Sequence, residues 1–370
     1  MPTGAVLKIN RRPYLVTPES GIRNTQTVRE RNCSVARTVA ILSDAWTFLV
    51  IREAFFGARR FESFRSALRL PRATLTERLK RLTYQGIFRQ VSRSPGSSRL
   101  EYRLTQAGLE LYPSFMAMMQ FGDRWLSGRK GPPLRLVHGL CGCECHPLLA
   151  CSSCLEPVTA RRVNYRNGPG AGYSAFQPQR RSRRSSDSSQ YSRGRPSSVS
   201  RTLEIIGDRW SFLIIREAFL GARRFERLQN ELRIASNILT DRLGHLVSTG
   251  IFERHKYQDQ PDRYEYRLTE MGMDLYGALI VMMAWGDRWL SRGGPPIILT
   301  HRDCGKDFTP AVICDRCRKP IAAHDMSYRM NYHPRDFGAP DVSDRAAAIG
   351  SKAKAALPRV KDGPKTKEKC

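Results

Sequence analysis

From residue 34 the apolar positions fall at helical spacing, then switch to short extended runs, then return to helical spacing before residue 127. Val35, Val39 and Leu42 mark a first helix from Ser34 to Ser43, with Ser34 placed to cap its start. A second helix is predicted from Ala45 to Phe56, stopped by Gly57, and a short third from Phe61 to Leu68. Leu75, Leu79 and Leu82 recur at i, i+4 and i+7, the buried stripe of a fourth helix ending at Gly86. Two extended runs follow, Ile87 to Arg93 and Leu100 to Thr105. The polar stretch Ser94-Pro95-Gly96-Ser97-Ser98 joins them, which reads as a β-hairpin with a loose tip. A long helix from Gln106 to Ser127 closes the unit, with Leu109, Tyr112, Met116 and Met119 on one face.

The same pattern returns. Residues Arg37 to Ser127 match Arg201 to Ser291 at a constant offset of 164, with roughly half of the positions identical. Trp46 aligns with Trp210, Gly57 to Phe61 with Gly221 to Phe225, Glu101 to Thr105 with Glu265 to Thr269, and Gly122 to Ser127 with Gly286 to Ser291. A period this long is a duplicated domain and not a solenoid repeat. In the second copy the hairpin tip reads Gln258-Asp259-Gln260-Pro261-Asp262. Between the copies, QPQRRSRRSSDSSQYSRGRPSS has almost nothing to bury and is expected to be a flexible basic linker.

Two short helices joined by a tight turn and followed by a hairpin is the winged helix-turn-helix order. The segments CSVARTVAILSDAWTFLVIREAFFGARRFESFRSAL, TERLKRLTYQGIF and EYRLTQAG together resemble the HxlR-type regulators, a branch related to the MarR-like winged helix proteins. The resemblance covers Cys33 to Ser127 and Ser197 to Ser291, and it implies a dimeric bacterial transcription factor. The expected fold is mainly α with small β-hairpins: two tandem winged helix-turn-helix domains, each followed by a small Cys/His hairpin. The divisions read as a disordered basic tail (1–32), winged helix domain 1 (33–128), hairpin 1 (134–160), a basic linker (161–196), winged helix domain 2 (197–292), hairpin 2 (297–325) and a disordered basic tail (335–370).

Charge narrows the function. Lys and Arg outnumber Asp and Glu by 62 to 34, a formal net charge of +28, which favours a polyanionic partner and nucleic acid first. No apolar run reaches the ~18–20 residues that span a bilayer, the longest being Leu275 to Trp285. The N-terminus lacks the charged-then-apolar pattern of a secretory signal, so a cytoplasmic protein is expected. There is no nucleophile–base arrangement, no phosphate-binding glycine loop and no open metal site, so an enzyme is not expected. The alternative to a DNA-binding regulator is a protein-interaction module built on winged helices.

In this fold the fourth helix lies in the major groove. Its outward side offers Arg72, Thr74, Thr76, Lys80 and Arg81 in copy one, and Ser236, Asn237, Thr240, Asp241 and His245 in copy two. Arg78 and Arg242 occupy matching places and read as phosphate ligands. Arg and Lys suit guanine and phosphate whereas Asn suits adenine, so the two copies are expected to read different sequences or with different strength. Arg93 and Arg99 flank the first wing, and Lys256 and Arg263 the second. Arg59-Arg60 and Arg223-Arg224 precede the third helix, where a helix start favours phosphate, with a purely structural role the alternative for one Arg of each pair.

Ten cysteines in a reducing compartment point to metal ligands or redox thiols. His138-x2-Cys141-x9-Cys151-x2-Cys154 recurs as His301-x2-Cys304-x9-Cys314-x2-Cys317. The spacing suits a tetrahedral HisCys3 zinc site in each hairpin, about two ions per chain, with disulfides or free thiols as the alternatives. Cys143, Cys145 and His146 have no counterparts in copy two. The HxlR-type resemblance implies an oxidation-sensing role for Cys33, replaced by Ser197 in copy two; a silent thiol is the alternative. Trp46, Trp125, Trp210 and Trp289 read as apolar anchors. The Met- and aromatic-rich closing helices suggest a helix–helix interface, either within one chain as a pseudo-dimer or between chains as a homodimer.

Overall fold

The computed structural model describes residues 29–42, 44–92, 100–175 and 194–332. The cores of both expected tails, the centre of the expected linker, and Arg93 and Arg99 lie outside the described residues. Copy one begins with α1 (Ser34–Leu42), α2 (Ala45–Phe55), α3 (Phe61–Leu68) and α4 (Arg72–Tyr84). The wing follows as β2 (Phe88–Ser92) and β3 (Leu100–Leu104), paired antiparallel. Copy two repeats this as α7 (Ser198–Ile206), α8 (Arg209–Phe219), α9 (Phe225–Leu232), α10 (Ser236–Ser248), β9 (Phe252–Asp259) and β10 (Asp262–Leu268). Asp44 caps α2 by accepting from the Thr47 N–H, and Asp208 caps α8 by accepting from Trp210 and Ser211. Leu75, Leu79 and Leu82 are fully buried, as their spacing predicts.

The expected single closing helix is two. A short α5 (Gln106–Leu109) precedes α6 (Tyr112–Leu126), and α11 (Glu270–Asp274) precedes α12 (Tyr276–Leu290). At the junction the Leu111 N–H reaches only to the Gly108 carbonyl, and Leu275 to Gly272, three residues back instead of four. The break therefore recurs whether the next turn carries Pro113 or Gly277. Each short helix is capped by the threonine before it, Thr105 or Thr269.

The two copies are packed against each other as a pseudo-two-fold pair within one chain. Helix α1 lies along α12, α7 lies along α6, and α6 meets α12. Phe48 and Phe212, equivalent residues, stack at 5.8 Å between centroids. The approach is close because each long helix has a glycine at the crossing. A Cβ on Gly122 would stand 2.3 Å from the Ser198 carbonyl oxygen, and one on Gly286 2.6 Å from that of Ser34. The hydroxyl of Thr202 then donates to the Met118 carbonyl at 2.8 Å, and that of Thr38 to the Met282 carbonyl at 3.0 Å.

The Cys/His segments are not two separate hairpins, because their strands are exchanged between the copies. Strand β4 (Leu134–His138) pairs with its own β5 (Glu144–Cys145) and with β14 (Met326–Met330) of copy two. Symmetrically, β11 (Ile297–His301) pairs with its own β12 (Asp307–Phe308) and with β7 (Val163–Asn167) of copy one. Strand β6 (Pro147–Cys151) pairs with β13 (Pro310–Cys314). The expected linker is shortened accordingly: β7 lies inside it, and β8 (Tyr173–Ala175) pairs with β1 (Arg29–Arg31) from the expected N-terminal tail. At its far end Arg195 is buried over the Phe56 ring and ion-paired to Glu53. Of these segments, β7 completes the ribbon of copy two and Arg195 supplies the counter-charge to Glu53 of copy one, whereas β1 and β8 pair with each other.

Candidate nucleic-acid interface and metal centres

Helices α4 and α10 carry two kinds of polar side chain. Arg78 faces inward: its guanidinium bonds the Asp44 carboxylate at 3.0 Å, and its side chain is only 16 % exposed. Arg242 does the same with Asp208 at 3.0 Å. These two arginines therefore tie each fourth helix to the cap of the second and are not free for phosphate. Arg81 is likewise turned in, donating to the carbonyls of Ala40 and Ile41 at 2.7 and 2.8 Å, which end α1. His245, its counterpart, is half-buried.

The outward set is narrower than the sequence suggests. Arg72 is 74 % exposed, hydrogen-bonded to the likewise exposed Glu62 at 3.2 Å and with its guanidinium 5.1 Å from the Phe61 ring centre. Thr76 and Lys80 are exposed, and Thr74 is half-buried. In copy two Ser236, Asn237, Thr240 and Asp241 are exposed on α10. Copy one thus presents cations and copy two mainly neutral groups.

The pairs before α3 and α9 also divide. Arg59 is half-buried and donates to the carbonyls of Ala54 and Ala58, so it closes the turn after α2; burial lowers its pKa. Arg60 is exposed and 4.0 Å from Glu101. Arg223 and Arg224 are exposed, with Arg224 4.6 Å from the Tyr257 ring centre. On the second wing, Lys256 is held by Asp259 at 3.0 Å and Asp262 at 2.8 Å, whereas Arg263 is exposed. The two acids raise the Lys256 pKa, so its charge is kept but neutralised locally.

The eight Cys/His ligand candidates form two clusters, His138–Cys141–Cys314–Cys317 and Cys151–Cys154–His301–Cys304. Each is HisCys3, as the spacing predicts, but each takes two residues from each copy, where the sequence suggests one hairpin per site. In the first, His138 Nδ1 is 3.2 Å from Cys317 Sγ and 3.7 Å from Cys141 Sγ, and Cys141 Sγ is 3.9 Å from Cys314 Sγ. In the second, His301 Nδ1 is 3.3 Å from Cys154 Sγ and 3.7 Å from Cys304 Sγ, and Cys151 Sγ is 4.0 Å from Cys304 Sγ. With Zn–S near 2.3 Å and Zn–N near 2.0 Å, the edges of a tetrahedral site are about 3.5 to 3.8 Å. The donor set therefore fits a tetrahedral ion. The six cluster cysteines are free thiols, and sulfurs about 4 Å apart are not bonded.

Local turns aim these ligands. In each Cys-x2-Cys turn an amide two residues on donates to the first sulfur, Ser153 to Cys151 at 3.3 Å and Arg316 to Cys314 at 3.4 Å. In each His-x2-Cys turn the following glycine, Gly142 or Gly305, has a positive φ and donates back to the histidine carbonyl. The Lys306 amide bonds the Cys304 sulfur and brings its pKa down to about 7, whereas Cys154 of the same cluster, despite a backbone hydrogen bond from Glu156 that lowers it, is raised by burial and by Cys151 and Cys304. Both histidines are fully buried.

Cys33 is buried at 8 % exposure, accepts from the Ala36 N–H at 3.4 Å and is hydrogen-bonded to Arg216 of copy two. The tryptophans do more than fill space. Trp125 Nε1 donates to Asp274 at 2.8 Å, Trp289 Nε1 to Glu110 at 3.0 Å, and Trp285 Nε1 to the Ala107 carbonyl at 2.8 Å, all between copies. The repeated Gly-Asp-Arg-Trp-Leu-Ser run is the visible signal for the Trp125 and Trp289 contacts, since Gly122 and Gly286 open the crossing, whereas Trp285 lies outside the run and has Phe121 as its counterpart. Asp123 and Asp287 accept from Ser198 and Ser34 there.

A helix-turn-helix followed by a wing, twice, with an exposed fourth helix, defines a winged helix regulator. The model of the HxlR-like helix-turn-helix family matches residues 41–130 and 205–293. The HTH-type transcriptional regulator Rv3095 of Mycobacterium tuberculosis, itself uncharacterised, is 48% identical over 131 residues, 35% of this chain and 83% of that protein. YtcD of Bacillus subtilis, also an uncharacterised HTH-type transcriptional regulator, is 34% identical over 96 residues, 26% of this chain and 76% of that protein. Among solved structures, the reduced form of the transcriptional regulator YodB from B. subtilis is similar at 30% identity. It covers 25% of this chain and 91% of its own, with a TM-score of 0.23. The chain belongs to the HxlR-like helix-turn-helix family, as a tandem duplication, and it is a transcriptional regulator, not an enzyme. Among the described residues no helix is long and apolar enough to cross a membrane.

Proposed function

We propose that this regulator binds duplex DNA sequence-specifically, with α4 and α10 in major grooves and the wings against the backbone, and that zinc fills both HisCys3 clusters as a structural ion. The observation that carries the DNA reading is the two-sidedness of the fourth helices. Arg78 and Arg242 anchor each helix from within, while Arg72, Thr76 and Lys80, or Ser236, Asn237 and Thr240, stand exposed outside. A rigidly held helix with a polar outer face is what base readout requires. Copy one supplies more charge and is the tighter half; copy two, with Asn237, contributes readout more than attraction. The net charge of +28 gives the long-range attraction. Cys33 has no part in the proposal, because an oxidant would have to reach a thiol enclosed between the copies.

The test begins with a genome-wide footprint of the protein, followed by titration of a recovered duplex at rising salt. If ~6 phosphates are neutralised, log affinity falls against log salt with a slope near −5. Affinity that does not change between low and physiological salt would overturn the DNA reading in favour of a protein-binding module.

A further inference from the structure

The exchange of strands between the copies gives the metal clusters a property that a structural zinc does not need. We propose that each ion is a staple between the two copies, held by a His-x2-Cys pair from one and a Cys-x2-Cys pair from the other, so that neither copy alone contains a complete site. This rests on reading the clusters as zinc sites, and it adds where each ion's ligands originate and what the ion fixes.

The ladder between β6 and β13 decides the arrangement. It is antiparallel, with Leu149 opposite Val312 at its centre, so Cys151 lies opposite Pro310 and Cys314 opposite Pro147. Cys151 and Cys314 therefore stand at opposite ends, four residues apart, or about 13 Å at strand rise. His138 and Cys141 are gathered at the Cys314 end, where Cys141 Sγ is 3.9 Å from Cys314 Sγ. To build a site from copy one alone, Cys151 and Cys154 would have to cross that whole distance and break the ladder.

Further bonds hold each Cys-x2-Cys turn to the other copy. The Ser152 N–H donates to the Thr309 carbonyl at 3.3 Å and Ser153 Oγ to the Asp307 carbonyl at 2.9 Å. At the other end the His146 N–H donates to Asp315 at 2.9 Å. The histidines are set by exchanged strands as well, with His138 in register with Met326 and His301 with Val163. Each ion thus closes a ring of chain that passes through both halves. Because the β6–β13 ladder packs on α6 and α12, the ions fix the ribbon layer to the helices that join the copies, and through them the relative placement of α4 and α10.

The test uses the full-length chain, purified reduced, with zinc counted by elemental analysis. Wild type should hold two ions. Cys141→Ser with Cys317→Ser removes two ligands of one proposed site, so one ion should remain. Cys141→Ser with Cys151→Ser damages both sites, so no ion should remain at stoichiometric level. The reverse pattern, none in the first variant and one in the second, would show that each ribbon closes its own site. That result overturns the staple and leaves zinc intact, whereas no zinc in wild type overturns the zinc reading itself. A second measurement needs no variant. In wild type loaded with 113Cd, one ion should couple to the β-protons of Cys141, Cys314 and Cys317. One ion coupled to Cys141, Cys151 and Cys154 would refute the proposal.

Discussion

Arg78 and Lys80 sit two residues apart on the same helix and do opposite work. Arg78 is 16 % exposed and spends its guanidinium on Asp44, the cap of α2, while Lys80 points to solvent. Removing Arg78 leaves Asp44 half-paired in a largely dry place, a loss of about 2 kcal/mol. Arg78→Ala should therefore lower thermal stability measurably. Lys80→Ala should leave stability within about 0.5 kcal/mol and weaken binding to all duplexes alike, reducing the salt slope by about one. If the two variants changed stability equally, the inward and outward assignment would be wrong. On the same reasoning Arg72→Ala with Lys80→Ala should cost more affinity than Asn237→Ala with His245→Ala, measured on the duplex recovered by footprinting.

At the scale of elements, the crossing of α6 with α7 and of α12 with α1 governs how the copies meet. Gly122 and Gly286 are in helix interiors, where glycine costs about 1 kcal/mol relative to alanine. They are present because a methyl group would collide with a backbone carbonyl of the facing helix. Gly122→Ala should therefore destabilise, by about 1–3 kcal/mol, although alanine is the better helix former. Gly244 lies on α10, where an added Cβ would meet nothing within 4 Å. The same change there should stabilise by up to about 1 kcal/mol. Chemical denaturation of the two variants checks the opposite signs. A stabilising Gly122→Ala would mean that the copies do not pack as described.

Over the whole molecule, the seam between copies half-buries two carboxylates in equivalent places. Asp123 faces Ser198, His146 and Arg201, and Asp287 faces Ser34 and Arg37. Burial outweighs these partners and lifts both pKa values from 3.8 to about 6. The folded chain therefore keeps these protons to about pH 6, whereas the unfolded chain releases them near pH 4. Their contribution is most favourable below pH 4 and is lost as pH rises from 4 to 6. Asp123→Asn with Asp287→Asn should match wild type near pH 4 and exceed it by a margin that grows to pH 6 and then stays constant. Melting temperatures across pH 4 to 8 check this, and a margin that shrinks with rising pH would refute it.

Local order is legible in the chain itself. Hydrophobic period and turn glycines place α1 to α4, the wing and their repeats to within a residue or two, because those signals act between neighbours. Ser34, which reads as a cap, instead lies inside α1 and donates to Asp287 of the other copy, a partner no local signal announces. The HisCys3 composition of the metal clusters is legible for the same reason, each pair being two residues apart on one turn. What the sequence does not show is which pair meets which. Either partner offers identical chemistry at identical spacing, and only the strand exchange, with β6 against β13 and β4 against β14, separates Cys151 from His138. The inward turn of Arg78, Arg81 and Arg242 is hidden likewise, since an arginine on a helix reads as exposed until a carboxylate or an open carbonyl from another element stands beneath it. The helix periodicity that the chain carries is a property of single elements. The pairing of copies, and with it every shared site, is a property of surfaces that come together only in the folded molecule.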